Sequence, residues 1–173
     1  MDEPDDVTPT QLTSEMINQV YDDAMKDPSL LSSLNIDELL DTLENDKNDY
    51  LENKTLSGIG DEIYEVTNEF ASSAEVHRQI CLKLVGYRNV DELHELHKGK
   101  HVRWIRRGTT KLTNGGIVVD IKFLDTGTHI LCMNSMHKFI QYKYDDCVTF
   151  QKLSQVEQLI LMSYEYADRM KDP

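Results

Sequence analysis

His94-Glu95-Leu96-His97 brings together the residue types of a zinc site, and His101 supplies a third imidazole within reach. Zinc peptidases place two histidines four apart so that they share a helix face; these stand three apart, and Gly99 stops the segment. The expectation is therefore solvated histidines at a basic helix end, where the helix dipole favours cations, with no metal or other cofactor. A three-histidine site from His94, His97 and His101 is the alternative. Cys132, His137 and Cys147 form a second thiol and imidazole set, but no C-x-x-C pair holds it in a tight knuckle, so Cys132 is expected to pack as a small apolar group and His137 to sit at a strand edge. Gly58-Ile59-Gly60 lacks a third glycine and a preceding strand, and reads as a helix-start turn rather than a phosphate loop. No nucleophile has a base at a useful spacing, and the chain is expected not to be an enzyme.

The basic segment is the other chemical feature. Lys98, Lys100, Arg103, Arg106, Arg107, Lys111 and Lys122 fall within a short stretch that carries Asp120 as its one acid, with Trp104 among them. On a strand, Val102, Trp104 and Arg106 point one way and Arg103, Ile105 and Arg107 the other. If Trp104 turns inward, Lys98, Lys100, Arg103, Arg106, Arg107 and Lys111 make a candidate binding rim for phosphates or for an acidic protein surface. A solvated strand edge, protected by its charges from further pairing, uses the same residues.

Charge is polarised along the chain. Residues 1–75 carry a net charge of -17 and residues 76–173 a net +4, within a total of -13 over 173 residues. The total disfavours uniform attraction to nucleic acid or anionic lipid, so such binding must be local. The apolar fraction is 39% and the mean hydropathy -0.51, yet runs of Leu, Ile and Val after residue 55 support a packed core. No apolar stretch is long enough to span a bilayer, and the four acids of Met1–Asp6 are unlike a secretion signal. Membrane insertion is not expected, and the setting is expected to be intracellular, in cytoplasm or nucleus, or a virion. Three scattered cysteines fit reduced thiols.

Hydrophobic spacing reads as helix up to Gly99. Leu12, Met16, Val20 and Ala24 recur every four residues, Pro28 opens a short helix through Leu34, and Asn35 caps an Ile36, Leu39, Leu40, Leu43 stripe. The acidic and apolar stretch Leu30–Leu43 also suits helical docking to a partner. A long helix is expected from Ile59 through Ile63, Val66, Phe70, Ala74, His77 and Cys81 to Leu84, with a break near Ser72 and Ser73. Asn89–Glu92 reads as a capping box for a last short helix.

Beyond Gly99 the period becomes two, and turn residues divide five strands. They are His101–Arg107, an alternating strand with Ile117, Val119, Ile121 and Phe123 on one face, Thr128–Met133, Lys138–Tyr144 and Val148–Lys152. Inner sets are expected at Ile130/Cys132, Ile140/Tyr142 and Val148/Phe150. Ser154 with Glu157 is a capping box for a closing helix whose stripe is Val156, Leu159, Ile160, Ser163 and Ala167.

Five short antiparallel strands must curl to bury one face. Lys98–Ser154 accordingly resembles SH3-like barrels of the Tudor and KOW type, with a variable loop at Gly108–Gly116 and a tight hairpin at Asp125–Gly127. An OB-like barrel or an open five-stranded sheet uses the same strands. A Tudor-like aromatic cage would draw on Trp104, Phe139, Tyr142, Tyr144 and Phe150, although alternation separates Phe139 from the two tyrosines. The order Lys98-Gly-Lys-x-Val-Arg-Trp-Ile, Leu112-Thr-Asn-Gly-Gly-Ile-Val-Val-Asp and Phe150-Gln-Lys-Leu is similar to uncharacterised small proteins of large nucleocytoplasmic DNA viruses. That resemblance implies a virion or infected-cell protein and transfers no catalytic residue.

The sequence thus predicts an α+β protein: an acidic helical region over 1–97, a five-stranded SH3-like barrel over 98–153 and a C-terminal helix over 154–173 packing on the barrel or the helices. Its expected function is non-catalytic protein–protein interaction or assembly, by a protein partner or self-association, with a viral structural or accessory role as the specific form. The alternative is a nucleic-acid-binding protein using the basic strand, with the acidic half as its intramolecular regulator.

Overall fold

The structure, a computed structural model, describes residue 19 and residues 46–171. The expected helices between Leu12 and Leu43, and the Leu30–Leu43 docking segment, lie outside the described residues. The chain divides into two compact units, 1–58 with 154–173 and Ile59–Leu153. Among the described residues no helix is long and apolar enough to cross a membrane.

In the first unit, a 3-10 segment, Asp46–Leu51, contacts helix α3, Gln155–Lys171. The capping box forms as its sequence requires: Glu157 N donates to Ser154 Oγ at 3.0 Å, and Ser154 N donates to Glu157 Oε1 at 3.1 Å. Glu157 is buried, and its second oxygen accepts from Tyr50 Oη at 3.0 Å. Leu159, Ile160, Ser163 and Ala167 of the expected stripe are buried, and Leu161 with them.

Helix α1, Leu56–Asn68, crosses from the first unit into the second at Gly58. It ends before the serine pair, and helix α2, Ala74–Lys83, begins after Ser73, whose hydroxyl accepts from Val76 N at 3.2 Å. The long helix therefore breaks where a serine side chain competes for the backbone. His77 fixes the corner. Its Nε2 lies 3.0 Å from Tyr64 O and 3.1 Å from Thr67 Oγ1, whose own proton goes to Ile63 O at 2.6 Å. Both neighbours can then only accept, so Nε2 carries the imidazole proton.

The sheet has six strands rather than five: β1 Tyr87–Val90, β2 His101–Arg106, β3 Gly116–Leu124, β4 Gly127–Met133, β5 Phe139–Lys143 and β6 Cys147–Lys152. All pairings are antiparallel and the order is β1-β6-β2-β3-β4-β5. β1 occupies part of the stretch expected to be helical. The capping box there is Glu92 with Glu95, around a single 3-10 turn, rather than Asn89 with Glu92. The turn's Leu93 and the following Leu96 pack on the core. Beneath it Arg88 is buried and donates to Glu95 O.

No ladder joins β1 to β5, so the sheet is open and the expected closed barrel is not formed by backbone pairing. It is nevertheless strongly curled. Trp104 on β2 and Tyr142 on β5 stand three strand spacings apart, about 14 Å in a flat sheet, yet their rings stack with centroids 4.0 Å apart. Tyr142 Oη also meets Thr149 Oγ1 of β6 at 3.0 Å, buried. Side chains thus hold together what the 3-10 turn Tyr144–Asp146, between β5 and β6, withholds from the ladder.

Two facing assignments change. The β3–β4 register shifts between Val118 and Asp120, leaving Val119 as an extra residue. Val118 points into the core and Ile121 packs on it, whereas Ile117, Val119 and Phe123 are exposed. A bulge reverses parity, so one stripe of odd-numbered residues cannot persist along β3. On β6 the inner face carries Cys147 and Thr149, while Val148 and Phe150 are buried on the opposite face, as is Ile105 of β2. The Ile130/Cys132 and Ile140/Tyr142 sets face inward as expected.

Truncating Trp104 to Ala is expected to cost about 3–5 kcal/mol. Tyr142→Phe, which removes only the bond to Thr149, should cost about 1–2 kcal/mol. Urea denaturation of the two variants checks both size and order.

Candidate functional site

β2 delivers the basic residues to different surroundings. Lys100 and Arg106 are six residues apart on an extended chain, about 20 Å, so the rim imagined from sequence is not one patch. At the first end, exposed Lys98 reaches Asp120 Oδ1 at 3.2 Å. That contact, with the backbone bond from Ile121 N, holds the Asp120 carboxyl below its ordinary pKa. Lys100 is half-buried, and its carbonyl accepts from Val118 N at 2.9 Å.

Arg103 is a structural tether. Its Nε donates to Thr113 O at 2.8 Å and its Nη1 to Lys83 O at 3.2 Å, joining β2, the loop after it and the end of α2. At the far end Arg106 and Arg107 are exposed. Arg107 lies 3.9 Å from Glu69 in a cleft of about 440 Å³ whose other acids are Glu65, Asp91 and Asp145. Four carboxylates around one guanidinium oppose phosphate binding there.

Trp104 and Lys111 are the two expected residues that the fold brings together. Leu112–Gly115 runs back along β2: Thr113 N donates to Trp104 O at 3.0 Å, and Trp104 N donates to Thr113 Oγ1 at 3.1 Å. The approach depends on Gly115, at φ +73°, where a Cβ would overlap the Val102 carbonyl. Between this arm and the β4–β5 turn opens a cleft of about 410 Å³, in the range of ligand sites. Trp104 and Ile140 line its inner side, with Leu112 and Met136 as further apolar walls. Lys111, Asn114, Ser135 and His101 supply its polar groups, and among the described residues no carboxylate lines it. The turn is braced by Asn134 Oδ1, which accepts from Met136 N at 2.9 Å and Lys138 N at 3.0 Å.

Asn114, Ser135, Met136 and Ile140 were not legible as site residues, and His101 was legible only as a candidate metal ligand. The Asn114-Gly115-Gly116 and Asn134–His137 turns were visible as turns, but their meeting depends on how the sheet curls. The rings do not form a cage. Trp104 stacks on Tyr142 at 14°, leaving no room for a cation between them, Phe139 is exposed, and Phe150 is buried on the opposite face.

The histidines separate. His94 is exposed beside Glu92 Oε2 at 3.3 Å, and His101 Nδ1 bonds Tyr87 Oη at 2.9 Å. His137 sits exposed in its turn at φ +59°, while Cys132 and Cys147 are in the core. Among the described residues no three His, Cys, Asp or Glu side chains converge in a way that would hold a metal ion. Burial pushes the Cys132 thiol up to about 12, far from a reactive thiolate.

Comparison with known proteins returns no match: no family model matches the chain, nor does any curated protein or solved structure.

Burial lowers the His101 pKa, and Arg103 and Lys152 lower it further. The unfolded chain then takes up this proton more readily. The contribution to stability is full above about pH 6.5 and is lost as pH falls below it. In His101→Gln the fall in melting temperature from about pH 7 to about pH 5 should be shallower than in the wild type, as read by calorimetry.

Proposed function

We propose that this chain is a non-catalytic protein-interaction module, with β2–β6 read as a partly open SH3-like barrel of Tudor or KOW type. The observation that carries the proposal is the cleft beside Trp104, concave, partly apolar and served by amide, hydroxyl and lysine groups. The barrel reading is supported by the Trp104–Tyr142 stack across non-neighbouring strands. A viral structural or accessory role is the specific form that the sequence resemblance adds.

The cleft also selects its occupant. A methylated lysine needs several rings around the cation, with an acid nearby; here one tryptophan and Lys111 line the space. An uncharged side chain flanked by an acid on the partner fits better, with Lys111 meeting the acid at the rim. The nucleic-acid alternative keeps Arg106 and Arg107 as its exposed cations, beside a cleft rich in carboxylates.

The chain's single tryptophan makes its fluorescence a direct reporter of the cleft. Peptides selected from a displayed library should shift that emission, bind at least about tenfold more weakly to Lys111→Glu, and show only mild salt dependence. Absence of any such peptide, together with steeply salt-dependent oligonucleotide binding that Arg106→Ala and Arg107→Ala abolish, would move the function to nucleic acid.

A further inference from the structure

Two asparagines line the cleft beside Trp104, and the fold restrains only one of them. Asn134 is locked in its turn: its Oδ1 accepts from Met136 N at 2.9 Å and Lys138 N at 3.0 Å, and its backbone is bonded to Lys138 O and His137 N. Asn114 is exposed, and among the described residues neither its side-chain amide nor the Gly115 N–H is hydrogen-bonded. It is also the one asparagine of the chain that a glycine follows. Glycine has no side chain to shield its nitrogen or to restrict the backbone, so the Gly115 nitrogen can reach the Asn114 carboxamide carbon in a ring closure that larger residues hinder. The surroundings favour that attack. Its nucleophile is the deprotonated amide, which nearby cations stabilise and nearby anions oppose. Lys111 lines the same cleft, Arg103 Nε donates to Thr113 O two residues before Gly115, and among the described residues no carboxylate lines the space.

We infer that Asn114–Gly115 is a self-modification site, at which the chain converts an amide of the cleft into a carboxylate with time. Gly115 N bonds to Asn114 Cγ, the bond from Cγ to the side-chain nitrogen breaks, and that nitrogen leaves as ammonia with the proton that Gly115 N gave up. Water then opens the cyclic imide at one of its two carbonyls. Attack on the side-chain carbonyl leaves aspartate; attack on the main-chain carbonyl leaves isoaspartate, whose main chain runs through the side chain. One water enters, one ammonia leaves, and no oxidant or cofactor takes part. Both products alter the cleft. Aspartate at this position sets a negative charge in the space that Lys111 lines, where, on the reading of the cleft as a peptide site, it competes with the partner's acid for that lysine. Isoaspartate lengthens the main chain between Thr113 and Gly115. Thr113 is bonded to Trp104 through its N and Oγ1, and Gly115 lies so close to the Val102 carbonyl that a Cβ would overlap it. The longer chain must therefore release one of these contacts with β2.

The test is peptide mapping by mass spectrometry of the full chain after weeks in warm neutral buffer, with isoaspartate counted by enzymatic methyl transfer. Aspartate and isoaspartate are expected at Asn114 while Asn134 stays intact, and Asn114→Gln, whose longer side chain closes a ring far more slowly, should remove the product. An Asn114 that stays intact, or that converts no faster than Asn134 in the folded chain, overturns the inference. Asn114→Asp, checked for unchanged circular dichroism, should bind the selected peptides at least about tenfold more weakly than the wild type; equal binding overturns the effect on the cleft. Conversion at Asn114 in a chain for which no peptide is found sinks the peptide reading and leaves the modification site standing.

Discussion

The stack of Trp104 on Tyr142 is the contact on which the larger unit depends. It draws β5 over β2 although two strands lie between them, and Thr149 secures the phenol from β6. Once those rings meet, the inner faces of six strands enclose one core, containing Val90, Val102, Val118, Ile130 and Cys132. The same curl turns the arm after β2 and the turn after β4 toward each other, which creates the cleft. A flat sheet of this composition would leave Trp104 exposed and have no concave site.

β2 and β6 are buried on both faces, unlike β3, β4 and β5. Ile105 and Phe150 are fully buried behind the sheet, and Arg103 reaches the carbonyl end of α2 from that side. The outer face of β3, β4 and β5 has exposed apolar side chains instead. This asymmetry divides the sheet by work: β2 is tied to the end of α2 through Arg103, and β3, β4 and β5 present surface.

What was legible in the sequence was local. Ser154 and Glu157 announce a helix start because each satisfies the other's backbone within four residues, and the Ser72–Ser73 break follows from the same competition. Ile130/Cys132 and Ile140/Tyr142 followed from alternation on regular strands. The bulge at Val119 was not legible, since a single extra residue reverses every later facing without changing composition. Neither was β1: four residues, Tyr87–Val90, are too few for a period, and they form a strand only because β6 pairs with them. The charged residues were visible, but their partners were set by folding. Lys98 meets Asp120, Arg107 meets Glu69, and Arg103 serves two carbonyls.

The position of β6 bears on how the molecule is made. It lies between β1 and β2 and pairs with both, yet it follows every other strand in the chain. During synthesis, β1 and β2 therefore emerge with the edges that will flank it still unsatisfied, while β2 to β5 can pair in order as a meander. The ladder contacts of β1 span some sixty residues of sequence, a separation that slows assembly. Until β6 inserts, two open edges stand beside apolar strands, the arrangement most prone to pairing with a neighbouring chain. The nascent protein is thus most vulnerable just before its sheet is complete, and one strand closes both edges in a single step.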